Sequence, residues 1–306
     1  MERSIAQVPS HAAAVGFFDK KGITDLISSL RHGGSRRETG FFFVEGVKMV
    51  REALASGAPV EAVVLCPELL LEYDLLGSPP KDLGPVTVEV GRRRYENAAR
   101  HFAVKQSPQG IGALIRQTWA SIDRHVPPVS GIMVALCSVQ DAGNVGTILR
   151  TCDAVGAVTV FIVGSTADPY GPVAVKASLG AIFGVTPVRT DVSGLARFVS
   201  RVRATVVGTS PWAGLSYREA EYKRPVILML GNEAQGLGDE ELGICRQQVS
   251  IPMVGRRDSL NVGVAGGIVL YEIFARGSVS WEGVRDVITG QHRGSSGREE
   301  SGADEV

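Results

Sequence analysis

The chain has 306 residues, 44% hydrophobic and 21% charged, and its 32 basic and 32 acidic side chains give a formal net charge of zero. This length exceeds one ordinary domain and suggests about two, each able to bury a core, while the even charge argues against a strong nonspecific nucleic-acid binder. No apolar run reaches the roughly 18 residues a membrane span needs, and the scattered Cys66, Cys137, Cys152 and Cys245 and the five histidines lack metal-ligand spacing, which speaks against a metal enzyme and suits reduced thiols in a cytoplasmic setting.

In chain order, residues 1–21 form an N-terminal extension whose only apolar patch, His11 to Phe18, carries no basic leader or cleavage site and is not expected to direct secretion. Residues 22–116 alternate short helices and strands: helical Ile23 to Arg31, extended Phe41 to Val44, helical Val47 to Ala55, extended Ala62 to Leu65, extended Val86 to Val90, helical Arg94 to His101 and extended Ile111 to Ile115. This predicts a small α/β domain. The stretch 117–130, with Pro127-Pro128, reads as a linker.

From Gly131 the strands become longer and lose polar alternation: Ile132 to Leu136, Val158 to Val163, Ala204 to Gly208 and Val226 to Leu230. Such strands between helices predict a parallel sheet covered on both faces, with ligands at the strand ends. This second domain spans 131–277. Residues 278–306, rich in Gly, Ser, Arg and Glu towards the end, are expected to be a largely disordered tail. Charge is unevenly placed, with Arg31, Arg36 and Arg37 early, Arg92-Arg93-Arg94 later, and acid in the tail. Each basic cluster reads as solvated surface or as a phosphate-binding face.

Three segments carry candidate chemistry at strand-to-helix junctions. In the first, Asn144 to Arg150, apolar Val145, Ile148, Leu149, Cys152 and Val155 form a helical stripe that leaves Arg150 off the buried face. Taken alone, Asn144 could cap this helix and Arg150 pair with Asp153. The second, Leu230-Gly231-Asn232-Glu233-Ala234-Gln235-Gly236, is too glycine-rich for an ordinary helix start and lacks the order of a dinucleotide or phosphate loop. The third follows a predicted strand end, Ile251-Pro252-Met253, and places Ser259 and Asn261 at the start of a helix holding Gly263, Gly266 and Gly267, whose cost of about 1 kcal/mol each relative to alanine suggests close backbone packing against a ligand or partner.

Together and in this order, these segments resemble the motifs of the SpoU/TrmH branch of the SPOUT methyltransferases, which methylate the ribose 2′-hydroxyl of RNA from S-adenosylmethionine. Asp168 to Pro172 and Lys176 to Phe183 extend the resemblance over 131–277; Ala142 and Gly263, Gly266 and Gly267 depart from the common pattern. The resemblance implies a parallel sheet with a deep trefoil knot, a homodimer with sites completed across its interface, and no metal. It assigns catalysis to Asn144, Arg150, Glu233, Ser259 and Asn261, and the cofactor to Thr209, Ser210, Leu230, Gly231, Asn232, Gly236, Ile251, Met253 and Leu260. Because guanidinium stays protonated, Arg150 fits the role of stabilising a developing alkoxide better than that of a general base.

More weakly, Arg37 to Gly46 and Gln106 to Ile111 resemble the ribosomal-protein-like substrate-binding domain found before many of these catalytic domains, with Arg36, Arg37 and Lys105 as expected RNA contacts. The implied function is 2′-O-methylation of large-subunit (23S) ribosomal RNA, a reaction that protects the ribosome against antibiotics in some relatives. The competing readings are a tRNA methyltransferase, a noncatalytic RNA-binding protein of the same fold, and a nucleotide-dependent enzyme on an ordinary doubly wound sheet.

Overall fold

The computed structural model describes residues 19–72, 86–103, 107–256 and 258–277. The tail 278–306, most of the extension 1–21, and Lys105 lie outside the described residues. The first lobe runs α1 (Lys20–Ser29), α2 (Gly33–Thr39), β1 (Phe41–Glu45), α3 (Val47–Ala55), β2 (Val60–Leu65), α4 (Pro67–Glu72), β3 (Thr87–Glu89), α5 (Arg92–Ala99) and β4 (Ile111–Arg116). Its four-stranded sheet has the order β1-β4-β2-β3, with β4 antiparallel to both neighbours and β3 parallel to β2.

Successive strand residues point to opposite faces, and both faces of this sheet are buried. Phe41, Phe43, Val64 and Leu114 meet Ile23 and Ile27 of α1 and Tyr95 of α5. Phe42, Val44, Val63 and Ile115 belong instead to the apolar cluster of the second lobe. The two N-terminal motifs meet at Glu45 and Gln109: Glu45 accepts from the Gln109 amide, and the Gln109 side chain accepts from Val47 N at 3.0 Å, where α3 begins.

The second lobe runs β5 (Ile132–Cys137), α6 (Ala142–Ala154), β6 (Thr159–Val163), α7 (Pro172–Ser178), a 3-10 turn at Ala181–Phe183, β7 (Thr186–Thr190), α8 (Val192–Val202), β8 (Thr205–Thr209), β9 (Val226–Leu230), α9 (Asp239–Ile244), β10 (Gln247–Val249) and α10 (Val262–Ala275). Its six strands are all parallel, in the order β10-β8-β9-β5-β6-β7. The predicted apolar strands are present, and the α6 stripe is fully buried. The edge strands β7 and β10 escape a sequence pattern because Pro187 and Arg189 interrupt one and two glutamines fill the other. Ile251 to Met253, expected to end a strand, lies beyond β10 in irregular chain.

Helix α10 lies against α6 and β9, and its glycines make that approach possible. A Cβ on Gly266 would stand 2.7 Å from Leu230 Cδ1, and one on Gly263 would stand 3.3 Å from Thr147 Cγ2. The close packing expected from these glycines is therefore made within the chain.

The lobes share a seam. Phe42 meets Tyr170 with ring centroids 4.8 Å apart, and Arg36 pairs with Asp168 at 2.8 Å while donating to Leu30 O at 2.7 Å. The expected linker is also tied down: Thr118 N donates to the Tyr170 hydroxyl at 3.1 Å, Ala120 N to Pro187 O at 3.0 Å, and Arg189 lies 4.2 Å over the Trp119 ring.

Candidate active site

The site is built where β5, β9 and β10 deliver the chain to α6, a glycine loop and α10. At the first junction Asp141, not Asn144, caps α6, accepting from Asn144 N at 2.8 Å. Asn144 therefore sits inside the first turn with its side chain free to bond elsewhere. Its Nδ2 donates to Glu233 Oε1 at 3.0 Å, and its Oδ1 accepts from Asn261 Nδ2 at 2.9 Å. The Asn261 side-chain Oδ1 in turn caps α10, accepting from Gly263 N at 2.9 Å and Val264 N at 3.2 Å.

Glu233 takes two further donors from the first junction, Gln140 N at 3.1 Å and Asp141 N at 3.0 Å. Partial burial pulls its carboxyl towards protonation, but the donors from Asn144, Gln140 and Asp141 outweigh this and hold it below the ordinary glutamate value. A charged carboxylate thus joins the glycine loop to the head of α6, and Asn144 carries the connection to α10.

The loop has its own scaffold. Asn232 and Gly236 exchange both backbone hydrogen bonds at 2.9 Å, and Asn232 Oδ1 accepts from Ala234 N and Gln235 N while its Nδ2 reaches Ser138 O at 2.9 Å. The whole Asn232 amide is consumed in shaping the loop. A Cβ on Gly231 would fall 2.3 Å from the Gly236 carbonyl carbon, so only glycine fits there.

Beside this network lies a cavity of about 700 Å³. Of the residues expected to hold a cofactor, Thr209, Ser210, Gly231, Asn232, Gly236, Ile251, Met253 and Leu260 line it, and so do Glu233, Ser259 and Asn261. Leu230 does not: it is fully buried, with its side chain under Gly266. Trp212, 80% exposed at the rim, was missed, because an isolated tryptophan after Ser210-Pro211 carries no pattern in sequence.

Arg150 stands apart. It is exposed on α6 and outside the cavity wall, and no hydrogen bond or ion pair joins it to another of the described residues, Asp153 included. The RNA-contact expectation needs correction at Arg36, which is 5% exposed and committed to Asp168 and Leu30 O. Arg37, the next residue, is exposed on α2.

The SpoU rRNA Methylase family model matches residues 131–271, and the MRM3-like substrate binding domain matches residues 26–113. A crystal structure of an rRNA methyltransferase from Sinorhizobium meliloti is 30% identical, covering 85% of this chain and 96% of that one with a TM-score of 0.73. The chain belongs to the SpoU methylase family. It is an RNA methyltransferase that takes S-adenosylmethionine as its methyl donor. An AdoMet-bound rRNA methyltransferase from Sinorhizobium meliloti is 31% identical over 84% of this chain and 95% of that one with a TM-score of 0.72.

Two curated relatives agree. The 23S rRNA (uridine(2479)-2′-O)-methyltransferase of Streptomyces viridochromogenes is 27% identical over 256 residues, 79% of this chain and 85% of the relative. The 23S rRNA (guanosine(2553)-2′-O)-methyltransferase RlmP of Bacillus subtilis is 27% identical over 245 residues, 78% of this chain and 90% of the relative.

The cavity suits the family's methyl donor. Its walls mix apolar Leu237, Val249 and Val262 with the hydroxyls and amides of Thr209, Ser210 and Gln248, and among the described residues they contain Glu233 and Asp258 but no Lys or Arg. Such a surface fits a cationic nucleoside without phosphates and is ill suited to NAD or ATP. No group of His, Cys, Asp and Glu among the described residues could hold a metal ion, and none of the described helices is long and apolar enough to cross a membrane.

Proposed function

We propose that this protein methylates a ribose 2′-hydroxyl of 23S ribosomal RNA. The observation that carries the reading is the hydrogen-bonded chain Glu233, Asn144, Asn261, which unites the three strand-to-helix junctions beside a cavity lined by Glu233 and Asp258 and, among the described residues, by no Lys or Arg. The 23S rRNA methyltransferases of Streptomyces viridochromogenes and Bacillus subtilis support the choice of RNA. Thr209, Ser210, Gly231, Ile251, Met253 and Leu260 would hold S-adenosylmethionine, which supplies an electrophilic methyl group when bound. Ser259, at the cavity wall ahead of α10, would help fix the reacting groups.

In this reading the protein aligns the 2′-oxygen with the methyl carbon and stabilises the negative charge that builds as the hydroxyl proton departs to water or a phosphate. Arg150, permanently cationic, supplies that stabilisation. Because Arg150 lies outside its own cavity, we assign it to the cavity of a second protomer. Helix α10 supports such a homodimer: the apolar Val264 and Tyr271 are 51% and 54% exposed on a helix that lies against α6, the helix carrying Arg150. We further propose lobes at 22–116 and 131–277 joined by 117–130, a trefoil knot in the second, a target-reading role for the first, and a cytoplasmic site of action.

The test is transfer of tritium from methyl-labelled S-adenosylmethionine to protein-free 23S rRNA, 16S rRNA and tRNA, followed by mapping of the modified ribose. A single 2′-O-methyl position in 23S rRNA is expected. Label confined to tRNA, or to a base, would overturn the proposal.

A further inference from the structure

Three segments distant in sequence bring cations to one place on the surface. Arg31 follows α1, Arg100 and His101 follow α5, and Lys176 sits in the last turn of α7, in the other lobe. Arg31 Nη1 lies 3.3 Å from His101 Nε2, Arg100 Nε donates to the same nitrogen at 3.1 Å, and Lys176 Nζ donates to the His101 carbonyl at 3.3 Å. Arg31 Nε also donates to His32 Nε2 at 2.8 Å. A guanidinium only donates, so His101 Nε2 must accept and the imidazole is neutral. Partial desolvation, then Arg100, Arg31, Lys176 and His32, lower the His101 pKa in keeping with this.

Like charges gathered this closely repel one another, and here solvent alone screens them. Two guanidinium groups meet the His101 ring and the Lys176 ammonium meets its main-chain carbonyl, and none of the three is paired with a carboxylate among the described residues. Beneath them the buried Arg36 and Asp168 pair holds the two lobes in register. The cluster also lies one helix from the proposed chemistry. Helix α7 touches α6 so closely that a Cβ on Gly146 would meet Ala174 O at 2.3 Å.

We infer that Arg31, Arg100 and Lys176 form a phosphate-binding seat for the backbone of the substrate RNA, spanning both lobes and fixing the strand relative to α6. This inference rests on the RNA-methylating reading above. The missing counter-charge is supplied by phosphodiesters, which need no base identity and which Arg and Lys bind by donating hydrogen bonds. His101 accepts from both guanidinium groups through one ring nitrogen and from Lys176 through its main-chain carbonyl, and so gathers the three cations at one point.

The experiment is filter retention of protein-free 23S rRNA by the full chain over a series of KCl concentrations. It compares wild type with the triple variant Arg31→Gln, Arg100→Gln, Lys176→Gln, with S-adenosylmethionine affinity by calorimetry and methylation followed in parallel. The variant is expected to keep its cofactor affinity and to show a slope of log K against log salt shallower by about 2. An unchanged slope in a variant whose wild type methylates RNA overturns the seat and leaves the methylating function standing. A wild type that neither retains nor methylates RNA overturns both. Should the triple variant fail to fold, Lys176→Gln alone must flatten the slope by about 0.7 to 0.9, and no flattening there overturns the seat.

Discussion

Asn144 and Asn261 are 117 positions apart in sequence, yet their side-chain amides share a 2.9 Å hydrogen bond that ties the first turn of α6 to the cap of α10. Each amide does a second task with its remaining atom, Asn144 holding Glu233 and Asn261 holding two backbone amides of its own helix. The site is therefore a relay in which each member orients the next, so damage to the middle member reaches both ends.

Asn144→Ala removes that middle member. One lost bond goes to a carboxylate and Asn261 Nδ2 is left without its acceptor, both at a solvent-exposed position where such bonds add little to stability. Turnover should fall about ten- to a hundredfold, while thermal stability changes little because Asp141 still caps α6. Steady-state kinetics with labelled cofactor measure this, and near-normal turnover would remove the relay from the mechanism.

Arg150→Ala should nearly abolish methyl transfer and leave cofactor affinity within severalfold, since the side chain does not line the cavity. The proposed dimer adds a sharper test. Mixed with Asn144→Ala protein under exchange conditions, Arg150→Ala protein should recover activity, because one of the two sites in a heterodimer then carries neither lesion. Absence of any recovery would place Arg150 in its own protomer's site.

At Gly231 a methyl group has no room against the Gly236 backbone. Gly231→Ala should open the loop that Asn232 and Gly236 close on each other, and calorimetry should find cofactor binding weakened at least tenfold. Wild-type affinity would mean that the loop can yield at little cost.

Glu45 reports on the first lobe. It is 2% exposed, and burial, partly countered by bonds from Gln109, Gly110 and Tyr95, pushes its carboxyl up to about 7. Between the ordinary value of 4.5 and about 7 the folded chain keeps a proton that the unfolded chain releases, so stability from this group falls as pH rises through that window. Glu45→Gln, an acceptor without charge, should match wild type near pH 5 and exceed it at pH 8 by roughly 1–3 kcal/mol. Thermal melts at the two pH values decide it, and parallel curves for the two proteins would refute it.

Much of this was legible in the chain before its fold was known. The apolar runs of β5, β6, β8 and β9 announce a parallel sheet, and the α6 stripe separates buried Ile148 and Leu149 from exposed Arg150. Where sequence reasoning failed, the deciding fact was spatial. Asp141 and Asn144 are both good capping residues three positions apart, and only the path of the chain selects Asp141. Arg36 and Arg37 are chemically alike, and the turn of α2 alone sends one to Asp168 and the other to solvent. The cations around His101 come from segments that no linear window contains.

The seam of Phe42 against Tyr170 and Arg36 against Asp168 bears on how such enzymes could be retargeted. A target-reading module grafted from another protein would have to present an aromatic ring and a buried cation at matching depths, or leave Tyr170 wet and Asp168 unpaired. Recombination at the obvious junction near residue 117 thus separates partners that pack on one another. A viable chimera would carry Asp168 to Phe183 along with the first lobe, so the natural unit of exchange is discontinuous in the gene.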